Sequence, residues 1–286
     1  KKIPTPLAES EFVVEHILPE QLQDYRLMRN LILVSSLQPE SETNKLLHRA
    51  VKKEIYDKMV SQEEYLFVAR DQWARGQLLV ILAAPGEALK SSVASYPDFI
   101  YNLFNHYRNQ RLQEVLFFQT QGRLERHFKS NYGWTLKIPF GYTLALEDTT
   151  NHLVQLSMHN PDRNIFVHWI DHARGLNIND AWLRDKVNWM ASHYHGAHVN
   201  PGDYYLAWTS LDGQQALQMS GLWESDQELN GGPMRAYAIR DAKNDRVYVI
   251  FTNVFAPDRR KEPYLRQFEQ IAATFKSFGL QREETS

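Results

Sequence analysis

The sequence predicts a protein of the α+β class, built from two related halves in which an antiparallel sheet is covered by helices. Three observations lead to this prediction. Apolar runs of strand length alternate with longer segments whose apolar residues recur at helical spacing. Four consecutive strand-like segments joined by turn residues follow Asp203. Three short motifs also occur in the same order in both halves of the chain.

The first half alternates strands and helices after a lead-in that contains two prolines. Apolar runs of strand length predict strands at 11–17, 30–36, 65–70 and 77–84. Apolar stripes at helical spacing predict helices at 41–59 and 97–132. Gly122 is expected to divide the second of these helices, and Gly133 is expected to stop it.

The second half is richer in strands. Its predicted strands lie at 134–138, 142–146, 164–170, 203–210, 216–223, 234–240 and 246–255. The last four form an antiparallel meander, and Asp212-Gly213 favours a tight hairpin turn in it because both residues tolerate positive φ. Helices are predicted at 179–193, with Asn179 as the cap, and at 261–278.

The internal motifs suggest a duplication. The first-half copies, at 17–19, 29–34 and 78–85, match second-half copies at 137–139, 163–167 and 247–257. The boundary is expected near 120–133, which gives a first α+β half at 1–125 and a second at 126–286. A cleft between two such halves would be a usual place for a ligand.

Composition excludes several classes of protein. Of the 286 residues, 43% are hydrophobic and 23% are charged, which is typical of a folded globular chain. The net charge of −2 gives no attraction to nucleic acid. The absence of cysteine excludes disulfides and thiol nucleophiles. No apolar run reaches the length of about 18 residues that a membrane span needs.

Histidines offer the first candidate chemistry. His193, His195 and His198 are close enough in sequence to hold zinc or copper, which would allow a metal-dependent hydrolase. The alternative is a polar loop of solvated histidines, which the lack of a His-Glu-x-x-His pattern and of a carboxylate within 193–198 favours. No other cofactor is expected, because nucleotide-binding glycine motifs are absent from the sequence. The Gly-x-Ser-x-Gly elbow of serine hydrolases is absent as well.

Aromatic residues offer the second candidate. Trp223 and Glu224 precede Gly231-Gly232-Pro233, which is interpreted as a tight turn, and Trp73 occupies a related position in the first half. Exposed tryptophans would form a platform for a sugar or a peptide. The alternative is that both tryptophans fill the interface between a sheet and a helix.

Most of the chain also carries motifs of a known family. These are Arg29-Asn30, Asp71-Gln72-Trp73-Ala74 with Gln77, Gly133-Trp134, Ile138-Pro139, Gly141-Tyr142, Arg163-Asn164, Gly221-Leu222-Trp223-Glu224, Gly231-Gly232-Pro233, Phe255-Ala256-Pro257 and Tyr264-Leu265-Arg266-Gln267 with Glu269. In them the chain resembles an uncharacterised family of predicted Bacteroidetes lipoproteins, a domain of unknown function. The strand meander and final helix also resemble the PsbP/Mog1-type fold, an analogy of fold alone.

The resemblance implies a place in the cell envelope. It implies a lipid anchor on an N-terminal cysteine that is absent from this chain, facing the periplasm or the outer membrane, and it implies no activity. We therefore expect a non-enzymatic envelope lipoprotein that binds a protein partner or a small ligand. Its only membrane contact would be the lipid anchor. The alternative is the metal-dependent hydrolase that uses 193–198.

Overall fold

The computed structural model describes residues 2–3, 5–61, 65–86 and 88–279, except the side chain of His195. The strands are β1 (Lys2–Ile3), β2 (Glu9–Ser10), β3 (Asn30–Ser35), β4 (Leu66–Arg70), β5 (Leu78–Ala83), β6 (Trp134–Thr135), β7 (Thr143–Asp148), β8 (Leu153–Met158), β9 (Asp162–Asp171), β10 (Ala197–Leu211), β11 (Gln214–Ser225), β12 (Gly231–Asp241), β13 (Arg246–Phe255) and β14 (Lys276–Ser277). The helices are α1 (Leu22–Tyr25), α2 (Glu42–Ala50), α3 (Lys53–Val60), α4 (Ala88–Ser95), α5 (Pro97–Leu116), α6 (Gly122–Tyr132), α7 (Asp180–His195) and α8 (Glu262–Ala272). The α+β class is confirmed.

The chain divides into two compact units, Val14–Leu112 and the combination of Lys1–Val13 with Gln113–Ser286. In the first of these, β5 lies between β3 and β4 and is buried along its whole length. Burial on both faces explains its uninterrupted apolar sequence. Leu47 of α2 and Met59 of α3 pack against β5.

The larger unit is built on a seven-stranded antiparallel sheet with the strand order β10-β11-β12-β13-β9-β8-β7. Helices cover both of its faces. Phe268 of α8 and Phe128 of α6 belong to the hydrophobic core on one face, and Val187 of α7 belongs to the core on the other. The two central strands β9 and β13 are therefore buried on both faces, and their sequences are nearly continuous in apolar residues.

The structure confirms the predicted meander as β10, β11, β12 and β13. Asp212 and Gly213 have φ values of 47° and 84°, as a tight hairpin turn requires. Asn179 caps α7 by accepting a hydrogen bond of 3.0 Å from the backbone N–H of Trp182. Gly133 ends α6 with a φ of 72°.

The predicted architecture of the first half is wrong in one respect, because its sheet is mixed. β3 runs parallel to β5, whereas β4 runs antiparallel to it. A parallel pair needs a crossover connection, to which α2 and α3 contribute. The duplication is not confirmed either. Two of its three motifs fall on the parallel pair β3 and β5 in one unit and on the antiparallel pair β9 and β13 in the other, whereas 17–19 and 137–139 lie on none of these strands.

Burial accounts for the likeness between 78–85 and 247–257, since β5 and β13 are both buried on two faces and such strands converge on similar apolar residues. It does not account for 29–34, because Ile32 and Val34 of β3 are exposed. The domain boundary at 125/126 stays a prediction, because compact units and duplicated halves are different divisions of a chain. Three smaller predictions are also corrected. Residues 11–17 form no strand, the single helix at 41–59 is two helices, and the last helix ends at Ala272.

Gly231-Gly232-Pro233 is not a turn but the start of β12, with Gly232 opposite Trp223 of β11. Pairing of β12 with β13 begins only at Met234, so this end of the strand has a single neighbour. Proline is tolerated at such a position. None of the described helices is both long enough and apolar enough to cross a membrane.

Candidate functional site

A pocket of about 310 Å³ lies in the larger unit, beside the carboxyl end of α5. Its wall combines residues from α5, β8, β9, α8 and the loop that precedes β7. The residues that give it its chemistry are Val115, Phe118, Phe140, Tyr142, Arg163 and Gln267. We call this the Arg163 pocket. Its volume is at the lower end of the range of small-molecule sites, about 300–1,000 Å³.

Backbone hydrogen bonds fix the two loops that carry the aromatic rim of the pocket. The N–H of Phe140 donates to the carbonyl of Gln119 over 3.0 Å, and the N–H of Gln121 donates to the carbonyl of Ile138 over 2.8 Å. The side chain of Gln121 also donates to the carbonyl of Tyr142 over 3.0 Å. The loop after α5 and the loop before β7 are therefore held side by side.

Arg163 provides the positive charge of the pocket. Its Nη1 donates to Oε1 of Gln267 over 3.0 Å, its Nε donates to the carbonyl of Pro161 over 3.3 Å, and its Nη2 donates to the sulfur of Met158. The guanidinium carbon lies 5.2 Å from the ring centre of Tyr264 and 5.9 Å from that of Tyr142. Aromatic faces at this range attract a cation, so the guanidinium is held in place from several sides.

The charge of Arg163 has no carboxylate partner within 4.0 Å in the described part of the chain. The other half-buried or buried arginines of the larger unit differ in this respect. Arg235 pairs with Glu269 over 2.7 Å, and Arg246 pairs with Asp171 over 2.5 Å. Arg163 is also the one charged residue among the described residues that line the pocket.

Tyr142 adds a buried hydroxyl group to the lining of the pocket. Its side chain is 1% exposed, and its buried hydroxyl has no hydrogen-bond partner in the described residues. Burial raises the pKa of this hydroxyl, and the charge of Arg163 lowers it by less. The hydroxyl therefore stays protonated and keeps its ability to donate a hydrogen bond.

The rim of the pocket is apolar and exposed. Val115 is 78% exposed, Phe118 is 85% exposed and Phe140 is 70% exposed. Exposed apolar side chains that stand singly are common, but three around one pocket form a contiguous patch that is typical of a binding surface. Gly141 lies between the lining residues Phe140 and Tyr142 and has a φ of 98°, a conformation that a side chain would strain.

The sequence alone does not predict this pocket, although several of its residues belong to the family motifs. Pro139, Tyr142, Arg163 and Gln267 come from four separate motifs that the fold brings together. The residues are spread over more than half of the larger unit. The motifs are visible in the sequence, but only the register of the sheet shows that they lie close together in space.

Trp223, predicted as a platform, lies inside the core beneath α7 and is 3% exposed. Its Nε1 donates to the carbonyl of Val254 over 3.4 Å. The ring therefore offers no open face to a ligand. Glu224 is exposed on the neighbouring position of β11 and accepts a hydrogen bond from Asn200 over 2.5 Å.

Trp73 lies in the other unit, Val14–Leu112, and is partly buried against its hydrophobic core. Its backbone N–H donates to the side chain of Gln77 over 3.0 Å. The amide nitrogen of Gln77 donates in turn to the carbonyls of Arg26 and Met28. The motif around Trp73 thus fixes a turn between strands.

The histidines predicted as metal ligands lie on two elements. His193 is in the last turns of α7, where its ring stacks on Trp189 with 6.1 Å between ring centres. His198 is in β10, with Nδ1 at 2.6 Å from Asp226 and Nε2 at 3.9 Å from Glu224. The side chain of His195 lies outside the described residues.

Among the side chains that the structure describes, no three of His, Asp or Glu form a group that could hold a metal ion. Metal binding by His193, His195 and His198 therefore stays a prediction. The contact of His198 with Asp226 is an exposed surface pair in which each side chain is 43% exposed.

Comparison with known proteins finds one protein family. The sequence model of the family described as Domain of unknown function (DUF4837) matches residues 121–274, which is more than half of the chain. The matched segment contains the Arg163 pocket except for the end of α5 and the loop that follows it. No curated protein matches the sequence.

Several solved structures are similar in part. The Ran-binding protein Mog1p of Saccharomyces cerevisiae is 11% identical, with a TM-score of 0.36 over 52% of this chain and 94% of its own. LpqN of Mycobacterium tuberculosis, whose structure is described as involved in cell envelope biogenesis, is 13% identical, with a TM-score of 0.34 over 56% and 98%. A Bacteroides thetaiotaomicron protein is 10% identical, with a TM-score of 0.30 over 54% and 47%.

Proposed function

The chain belongs to the family described as a domain of unknown function (DUF4837), and from this premise we propose that it is a non-enzymatic binding protein of the cell envelope. Its binding site is the Arg163 pocket. The observation that carries the proposal is the combination of an arginine that has no carboxylate partner in the described residues with an exposed aromatic rim. Ligand sites typically combine an apolar lining with a few polar groups in this way.

The lining of the pocket supports binding over catalysis. Its described residues are aliphatic and aromatic side chains, two glutamines, a methionine, a proline and Arg163. General acid–base and nucleophilic catalysis rely on groups such as histidine, carboxylates, serine, cysteine or tyrosine close to the substrate. Of these the described lining holds Tyr142 alone, and burial keeps its hydroxyl protonated. The arrangement is suited to holding a molecule by charge and apolar contact.

The envelope location is proposed on the resemblance to predicted lipoproteins, which implies a lipid anchor on an N-terminal cysteine outside this chain. Labelling of the natural full-length protein with a palmitate analogue, followed by membrane fractionation, tests this part. We expect label incorporation and a membrane-bound protein, and we expect both to be lost when that cysteine is replaced by alanine. An unlabelled protein in the cytoplasmic fraction would contradict the envelope location.

Binding in the pocket can be tested by NMR on methionine methyl groups. Met158 lines the Arg163 pocket, whereas Met59 is buried in the other unit and is a control within the same molecule. We expect members of a panel of small apolar and anionic fragments to shift the Met158 resonance and leave that of Met59 unchanged. The variant Met158→Leu assigns the resonance. If no fragment moves it, the pocket is not a binding site.

A further inference from the structure

The charge of the Arg163 pocket constrains its ligand. Arg163 carries one positive charge, no other charged side chain is among the described lining residues, and no carboxylate of the described chain pairs with it. A charge in a half-buried site is stabilised by an opposite charge, because fewer water molecules can solvate it there. A ligand with a single negative charge would compensate it.

The hydrogen-bond donors of Arg163 also favour an anionic ligand. A guanidinium has five N–H donors. Three are used, by the carbonyl of Pro161, by Gln267 and by the sulfur of Met158. Two N–H groups, one on Nη1 and one on Nη2, are left without an acceptor in the described residues. Two donors and one charge match the two oxygens and single charge of a carboxylate.

A phosphate monoester fits less well. It carries a charge of about −1.5 to −2 at neutral pH, which the single cation of the pocket would leave partly uncompensated. The exposed rim of Val115, Phe118 and Phe140 in turn requires an apolar portion next to the anionic group. Burial of these side chains by an apolar ligand chain would favour binding, because it removes apolar surface from water.

We propose that the Arg163 pocket binds a small amphiphilic carboxylate, with the carboxylate on Arg163 and an aliphatic chain against Phe118 and Phe140. The inference rests on the proposed function and specifies the ligand of that same site. A small molecule is favoured over the carboxyl terminus of a partner protein because the pocket, at about 310 Å³, is of small-molecule size.

Isothermal titration of the chain with matched probes tests the inference. Octanoate, octanol and octyl phosphate share one apolar chain and differ in their head group. We expect octanoate to bind at least about tenfold more tightly than octanol, which is the effect of one charge-assisted contact. Equal affinity for octanol, or tighter binding of octyl phosphate, would overturn the carboxylate assignment.

Variants locate the effect. Arg163→Gln is expected to abolish the preference for octanoate over octanol, whereas Arg184→Gln, at an arginine outside the pocket, keeps it. Arg163→Lys retains the charge without the planar fork and is expected to give an intermediate preference. If Arg163→Gln does not fold, the probe comparison on the unmodified chain decides alone. A preference that survives in a folded Arg163→Gln variant would contradict the inference.

The rim and the source of the carboxylate are tested in the same way. Phe140→Ser is expected to weaken octanoate and octanol equally, whereas Trp208→Ser, at another exposed aromatic residue, changes neither. A peptide with a carboxyl-terminal leucine that binds more tightly than octanoate would identify a protein partner and overturn the small-molecule source. If octanol binds as tightly as octanoate and shifts the Met158 resonance, the carboxylate inference is wrong but the pocket is still a binding site. If no probe binds, both the inference and the proposed function are wrong.

Discussion

The guanidinium of Arg163 on β9 donates a hydrogen bond to the side-chain oxygen of Gln267 on α8 over 3.0 Å. This contact joins the sheet to the helix that covers it, and it leaves the charge of Arg163 intact because Gln267 is neutral. Both residues belong to the family motifs, and both line the pocket. The charge of the side chain at position 267 therefore determines whether the positive charge of Arg163 stays uncompensated.

Gln267→Glu is expected to remove the charge preference of the pocket. A carboxylate at this position would pair with Arg163 and compete with the carboxylate of the ligand. Octanoate affinity should fall about 10- to 100-fold, which corresponds to about 1.5–3 kcal/mol, while octanol affinity stays the same. Titration calorimetry of the two ligands measures this. If octanoate affinity is unchanged, the ligand does not use Arg163.

His168 is expected to make stability depend on pH. The residue is 6% exposed, and burial, together with the nearby charge of Lys186, lowers its pKa to about 4. An unfolded histidine has a pKa of about 6.5, so the unfolded chain takes up this proton first as the pH falls. The stability from His168 is complete above pH of about 6.5 and is lost progressively down to a pH of about 4.

The loss reaches about 3 kcal/mol across this window, at about 1.4 kcal/mol for each pH unit. Urea unfolding at several pH values measures it. His168→Asn should flatten the curve between these limits. A slope that persists in His168→Asn would show that other groups cause it.

Trp223→Ala is expected to destabilise the chain by about 3–5 kcal/mol, because it removes a large side chain from the core beneath α7. Trp208→Ala is the matched control, since Trp208 is 59% exposed and a surface substitution usually changes stability by less than about 0.5 kcal/mol. Thermal unfolding compares the two variants. A stable Trp223→Ala that has lost ligand binding would instead identify Trp223 as a binding residue.

Gly141→Ala is expected to destabilise the chain by about 1–3 kcal/mol, because its φ of 98° is a conformation that a side chain strains. The added Cβ would also lie 2.7 Å from the methyl group of Met158, which would have to move. Gly175 lacks both constraints, so Gly175→Ala is the control and should leave the unfolding temperature unchanged. Equal unfolding temperatures for both variants would contradict the strain argument.

The parts of the fold that could be predicted from the sequence are those that local chemistry decides. The hairpin at Asp212-Gly213 follows from residues that tolerate positive φ, and the cap at Asn179 follows from a side chain that accepts a backbone N–H. β8 was missed because Gln155 and Ser157 interrupt its apolar pattern. In the structure their side chains bond to Asn164 on the adjacent strand.

The remaining features depend on contacts between distant parts of the chain. The sequences of β3 and β5 do not determine whether the two strands pair in parallel or antiparallel orientation, because both orientations bury the same apolar residues. The Arg163 pocket also depends on contacts between distant parts of the chain. Phe118, Phe140, Arg163 and Gln267 meet only because the register of the sheet and the position of α8 place them together.

A crystal structure of the chain with octanoate would show whether Arg163 holds the carboxylate of an amphiphilic ligand. We expect carboxylate oxygens within about 2.7–2.9 Å of the Arg163 guanidinium, with the aliphatic chain against Phe118 and Phe140. Octanoate bound elsewhere, or bound in the pocket with its carboxylate turned to solvent and away from Arg163, would contradict it.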